Sequence, residues 1–445
     1  MKKNILIILF CLFFAKYGIS QNSSIIGLGD LSGGSFSSEA LSVSDDGSVI
    51  VGNGTTANGS QAFIWTETSG MVSLGNVNDN SFSSTYVNQV SGDGKIVIGS
   101  GLPVGLSQYD DRQGFLWADT CGMIKFGSLN SSERYRASAV SYDGSVIAGF
   151  GGEDAFYWTK NDGIKGLGVL AGTEQSEISK LSSDGLIGAG CSNSASYDVQ
   201  EAIRWTEEDG IIGLGVLPGT STSTCNAISP DGLVILGTCF VTSPQLHFYA
   251  FRWTEASGME DLGSLPQKNI MHPGGASTDG SVIVGGGSDG PINGEAFIWD
   301  SVNGMRDLET VVENEYGLDL NGWQLNFAHA ITPDGKNIVG YGINPSGNKE
   351  AFLLKIGNLV SVGKQIQQKE IEIFQNSVNN TLQIENVELS NKYIKYKIVD
   401  LSGKALMEGN LTANEINVSN INMGIYFLIL NVNGKAISKK IIIPS

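Results

Sequence analysis

Side chains able to do chemistry are scarce in this chain. Its 445 residues hold three histidines, His247, His272 and His329. None stands at metal-ligand spacing from another histidine or a cysteine, so no metal site is expected. Gly286-Gly287-Ser288-Asp289-Gly290 matches the Gly-x-Ser-x-Gly pattern of a nucleophile elbow. That elbow needs a strand before it and a helix after it. Here it lies in a glycine-rich loop with no helix following, so the match reads as chance. The Gly-Leu-Gly segments lack full Gly-x-Gly-x-x-Gly spacing and open no helix, which argues against a nucleotide loop. No carboxylate pair can be placed at catalytic separation from spacing alone. No catalytic residue, metal or cofactor is therefore assigned, and His329, within AHAIT, reads as a packed or axial residue.

Binding has better material. Long, dissimilar connections carry Tyr109, Asp111, Arg112, Arg134, Tyr135, Arg136, Tyr197, His247, Phe248 and Tyr249. Aromatic rings and charges on loops held by a rigid scaffold suggest a binding surface. The competing reading is an ordinary solvated loop face. Trp65, Trp117, Trp158, Trp205, Trp253 and Trp299 invite comparison with a stacking platform for sugars or bases. Their identical place in successive units points instead to packing between units. Trp323, in the longest connection, is the one expected to be free for exposure.

The scaffold is written as a repeat. A Ser/Thr-x-Asp-Gly turn followed by an apolar run begins at Ser44, Ser91, Ser141, Ser182, Ser229, Ser277 and Thr332. Between these turns lies a second element, of the form AFIWTETSGMVSLG at Ala62. Each period holds four short Val/Ile/Phe/Trp-rich stretches punctuated by Gly, Ser and Asp, which reads as four strands. Four strands in a period of roughly 40–50 residues predict a β-propeller blade. The near-continuous apolar second strand, as in Val49-Ile50-Val51, fits a sheet buried on both faces. The repeated aspartates are read as turn formers, closing a type I turn whose glycine takes the left-handed conformation.

The seventh unit lacks its last strand, with Leu354 at the tryptophan position, while IIGLGDL from Ile25 matches IIGLGVL from Ile211. The expected architecture is an all-β, seven-bladed propeller over 21–356, closed by the N-terminal strand. Cys225 and Cys239 flank one hairpin and are a possible disulfide. The turn register puts Cys225 opposite Gly237, so Cys239 is displaced diagonally. Cys121 and Cys191 are read as free.

Residues 1–20 read as a signal peptide. Lys2 and Lys3 precede an apolar run too short to span a bilayer, and cleavage is expected after Ser20. No other segment reads as transmembrane. Residues 357–370 read as a linker, and 371–445 as a small β-sandwich of strands alternating with Asn-Gly and Ser-Gly turns. The net charge of −18 is concentrated in the repeat region, because both ends are basic. That balance disfavours nucleic acid and anionic membranes as partners.

Two resemblances follow. Gly-Leu-Gly-x-Leu, Ser-x-Asp-Gly-x-x-x-x-Gly and Ala-Phe-x-Trp-Thr, together with GWQLNFAHAITPDGKNIVGYG from Gly322, resemble the extracellular HAF-repeat proteins. That likeness implies a secreted repeat protein and transfers no catalytic residue. YKIVDLSGKAL, INVSNINMGIYFLIL and NGKAISKKIIIP resemble the C-terminal sorting domain of the type IX secretion system of Bacteroidetes. It implies export across the outer membrane by that machinery, then release or attachment at the cell surface. The leading expectation is a secreted or surface-attached propeller that binds an extracellular protein or polysaccharide. A polysaccharide lyase or hydrolase with its site at the propeller mouth, and a structural matrix protein, are the alternatives.

Overall fold

In the computed structural model, residues 23–357 are described apart from 78–79, 108–111, 127–134, 153, 172, 195–198, 242–245 and 291–293. The C-terminal part is described over 372–376, 381–385, 395–400, 404–411, 414–432 and 435–443. The segment read as a signal peptide and, Gly357 apart, the linker lie outside the described residues. The chain divides into two compact units, Met1–Val360 and Ser361–Ser445.

In the first unit each repeat forms a four-stranded antiparallel sheet with strands in sequence order. In sheet one they are Ser38–Val43, Val49–Thr56, Gly59–Thr66 and Gly70–Ser73. The first strands of sheets two to seven are Phe82–Val90, Arg136–Val140, Ser176–Leu181, Thr222–Ile228, Ile270–Ala276 and Gln324–Ile331. Sheets five and six are linked by a single parallel bridge, Phe248 to Ile270. Sheet seven takes its fourth strand from Ser24–Gly27, which pairs with Lys349–Lys355. The likeness of the two Gly-Leu-Gly segments has a structural counterpart. Gly29 N–H donates to Glu350 Oε1 at 2.9 Å, as Gly215 N–H donates to Glu201 Oε1 at 2.9 Å.

The aspartates of the repeat shape turns. In all seven copies the Ser or Thr hydroxyl donates to the Asp Oδ1 at 2.5–3.1 Å. The same hydroxyl accepts the backbone N–H five residues on, at 2.9–3.1 Å. The glycines sit at φ between +64° and +76°, where a side chain is strained. These turns also bond one another: Asp45 N–H donates to Gly92 O, Asp93 to Tyr142 O, Tyr142 to Ser183 O and Ser183 to Pro230 O.

The glycine that ends each Ser-x-Asp-Gly-x-x-x-x-Gly has a separate cause. Every first strand carries a β-bulge, and the residue before it pairs with this glycine: Ala40 with Gly52, Val87 with Gly99, Ala137 with Gly149, Ile178 with Gly190, Cys225 with Gly237, Pro273 with Gly285 and Ala328 with Gly340. The bulge presses a carbonyl against the second strand. A Cβ at Gly340 would collide with Phe327 O, and one at Gly237 with Thr224 O and the Phe251 ring. Glycine is the residue that tolerates such close backbone approach.

Successive sheets pack through the third strands. Phe63, Phe115, Phe156, Phe251, Phe297 and Phe352 are fully buried. Each of the six repeat tryptophans packs in or against an inter-sheet cluster, and Leu354 replaces tryptophan in the seventh. Trp323 is half-buried against the same core and meets Phe352 edge-on at 6.5 Å. The connection that carries it also holds a short helix, Leu308–Asn314, capped by Asp307 and burying Leu308, Val311 and Val312. The sequence reading had no helix there.

The possible disulfide is not formed. Cys225 pairs with Gly237 and Cys239 with Ser223, two registers apart, and both thiols are free and buried. Cys225 packs with Ala189 and Ile235, whereas Cys239 packs with Ala202, Leu217 and Phe251 and accepts Leu217 N–H at 3.4 Å. Burial pushes the Cys225 thiol up to about 12, so it behaves as a small apolar side chain.

The second unit holds two antiparallel sheets. Glu372–Asn376, Thr381–Glu385 and Glu415–Asn417 form one; Ala405–Asn410, Lys395–Val399, Gly424–Val432 and Lys435–Ile443 form the other. One apolar cluster, including Leu382, Ile384, Ile416, Ile398, Leu428 and Ile441, draws on both sheets.

Candidate functional site

Among the positions that vary along the first strands is the one just before the residue that faces the glycine. Glu39, Tyr86, Arg136, Glu177, Thr224, His272 and Phe327 stand there. Their cross-strand partners are Asn53, Ser100, Phe150, Cys191, Thr238, Gly286 and Tyr341. The bulge and the glycine paired with the next residue recur in every sheet and hold these variable residues in equivalent places.

The variable positions of sheets six and seven border a cleft of about 410 Å³, within the range of small-ligand sites. Its lining includes His272, Phe327, Tyr341 and Lys349, together with Gly286, Gly287 and Gly290. Phe327 stacks on His329 at 4.4 Å and on Tyr341 at 6.4 Å. The Lys349 ammonium lies 4.1 Å over the Tyr341 ring and is paired with Glu39 at 2.7 Å. Burial opposes ionisation of Glu39, but the bond from Lys349 and its charge outweigh that and hold the carboxyl below its usual range.

Two of the cleft glycines have structural causes: a Cβ at Gly286 would strike the Phe327 ring, and one at Gly287 the end of Met271. Gly290 has neither cause. A Cβ there meets nothing within 4 Å, and its φ lies outside the left-handed region. Its missing side chain leaves the cleft open.

The described members of the expected loop set are dispersed. Tyr109, Asp111, Arg134 and Tyr197 lie outside the described residues. Arg112 stacks over Tyr86 at 3.8 Å in sheet two. Arg136 lies in a strand, 4.6 Å over the ring of its partner Phe150. Tyr135 is not on a binding face: it is buried and meets Phe156 edge-on at 5.5 Å. His247, Phe248 and Tyr249 begin a strand, His247–Thr254, with His247 stacked on Tyr249 at 4.0 Å. Among the described members of this set only Phe248 adjoins the cleft, through His272 at 5.1 Å. Sequence reasoning left His272 without a role and passed over Phe327, Tyr341 and Lys349. No local signal marks His272 and Phe327: the seven residues at this position share no consensus, and their place beside the cleft depends on packing between sheets. His329 follows expectation: it is on a first strand, Nε2 is buried without a partner, and burial lowers its pKa to about 4.

Among the described residues no group of three His, Cys, Asp or Glu side chains could hold a metal ion, and no helix is long and apolar enough to cross a membrane. No curated protein matches the chain. Among solved structures, an oligogalacturonate lyase from Vibrio parahaemolyticus is similar at 11% identity and TM-score 0.49, over 76% of this chain and 99% of that one. TolB from Acinetobacter baumannii is similar at 14% and 0.39, over 59% of this chain and 60% of that one. The Dos1 propeller is similar at 10% and 0.43, over 76% and 96%. At such values these likenesses bear on neither ligand nor reaction. Residues 372–444 match the family described as the secretion system C-terminal sorting domain. This segment, which implies secretion to the cell surface or beyond, is a type IX sorting domain.

Proposed function

We propose that this chain is a secreted or cell-surface binding protein: a closed seven-bladed β-propeller with HAF-like repeats, followed by a two-sheet sandwich that delivers it through the type IX machinery. Closure is supported by bonds that treat the seventh junction like the others. Ala351 N–H of sheet seven donates to Ser38 Oγ of sheet one at 3.0 Å, as Ala202 donates to Ser223 and Ala155 to Ser176. A Cβ on Gly47 would press on Asn337, as one on Gly94 would press on Val49. First strands of neighbouring sheets touch throughout, including those of sheets one and seven.

The observation that carries the binding role is the cleft beside His272 and Phe327, kept open by a glycine that the fold does not require. Gly290→Trp in the full chain should fill it. The test is a thermal-shift screen of wild type and variant against polysaccharides, extracellular proteins and Ca²⁺. A ligand that stabilises wild type alone and is recovered intact supports this reading. A ligand converted to product makes the protein an enzyme, and a ligand that stabilises both proteins equally places the site elsewhere. No response to anything favours the structural alternative.

A further inference from the structure

The polar groups of the cleft define what it can accept. Thr238 Oγ1 lies 2.8 Å from Asn226 Oδ1, to which it donates, and 3.3 Å from His272 Nδ1. A hydroxyl has a single proton. With that proton given to Asn226, the Thr238 oxygen is left as an acceptor, which favours the His272 tautomer protonated on Nδ1. The remaining ring nitrogen, Nε2, is then a lone-pair acceptor, and it has no protein partner among the described residues. Burial, which lowers the pKa of His272, keeps the imidazole neutral near pH 7. Phe248 holds the ring from the side, 5.1 Å away.

Lys349 supplies donors, but its charge is matched by Glu39 at 2.7 Å. An anionic ligand would therefore meet little uncompensated positive charge, within a repeat region that is itself acidic. A cationic ligand would meet the ammonium. Resting on the binding role proposed above, we infer that the cleft takes a neutral, hydroxyl-rich ligand, a glycan, with one hydroxyl donating to His272 Nε2, another accepting from Lys349, and an apolar sugar face against Phe327.

The experiment is isothermal titration of the full chain at pH 7.5 with four probes: the neutral polymers galactomannan and laminarin, and the anionic polymers alginate and polygalacturonate. Three variants accompany wild type. His272→Phe retains a ring against Phe248 and removes the acceptor, Lys349→Met removes the donor, and Gly290→Trp fills the cleft. The expected result is binding of a neutral polymer that is abolished by Gly290→Trp and weakened roughly tenfold by His272→Phe, as for loss of one hydrogen bond to a buried partner. Lys349→Met should weaken it similarly. Circular dichroism and thermal denaturation of each variant separate loss of binding from loss of fold. Preference for an anionic polymer, still blocked by Gly290→Trp, would overturn the neutral-glycan inference while keeping the cleft as the binding site. Neutral-polymer binding unaffected by Gly290→Trp would overturn both. Binding blocked by Gly290→Trp but indifferent to His272→Phe in a folded variant would remove His272 from recognition and overturn the inference. Failure of all four polymers to bind would overturn it too, leaving a protein ligand as the reading of the cleft.

Discussion

The Ser-x-Asp-Gly ends of the sheets and the cleft between sheets six and seven are built from the same repeat in opposite ways. At the turns every copy makes the same bonds: hydroxyl to aspartate, and backbone N–H to hydroxyl. At the cleft, equivalent backbone positions carry unlike side chains, His272 in one sheet and Phe327 in the next. Uniformity serves assembly, because each unit must present the same edge to its neighbour. On the binding role proposed above, departure from uniformity serves recognition, because a ligand needs a particular set of groups in one place.

The sharpest way to break that contrast is at the bulge. Gly237→Val would drive a branched side chain into Thr224 O and the Phe251 ring. We expect a loss of about 4 kcal/mol or more, or failure to fold, measured by urea denaturation, because neither backbone nor buried ring can give way. Near-normal stability would show that the bulge relaxes. Ser229→Ala removes a buried hydroxyl that serves both Asp231 and Val234 N–H. Its expected cost is about 1–2 kcal/mol in the same assay, and the equivalent change in another sheet should cost about the same if the turns are equivalent.

His329 supplies a pH-dependent test. Its folded pKa is about 4 against an ordinary 6.5. Between those values the unfolded chain binds the proton and the folded protein does not. Its contribution to stability is therefore complete above pH 6.5 and is lost as pH falls toward 4. His329→Gln should flatten that part of the stability profile, and an unchanged slope would show that other groups govern it. The smallest expected effect on stability is at Gly290. Gly290→Trp should stay within about 0.5 kcal/mol of wild type while closing the cleft, the reverse of Gly237→Val. A large loss of stability would mean that Gly290 belongs with the structural glycines.

Legibility follows the same division. Asp46 and its six counterparts could be read as turn formers, because a turn is decided by residues within reach of one another along the chain. Trp205 and its equivalents could be read as core, because the repeat marks them as interchangeable. The pairing of Ser24–Gly27 with the last repeat could be read from a missing strand and its likeness elsewhere. Tyr135 was misplaced because composition does not say on which side of a strand end a ring will fall, and here it turns inward to Phe156. Cys225 and Cys239 were close enough in sequence to suggest a bond, but their registers and packing partners separate them.

The amino-acid sequence by itself determined the repeated four-stranded unit, the role of its turns and the sorting segment at 372–444. Each rests on local chemistry repeated in register or on an unbroken stretch of chain. Tertiary structure alone decided that His272 of one sheet shares a cleft with Phe327, Tyr341 and Lys349 of the next, and that Thr238, itself bonded to Asn226, lies beside His272 Nδ1. Those residues are far apart along the chain, and their meeting depends on how two twisted sheets pack. No local preference encodes that packing.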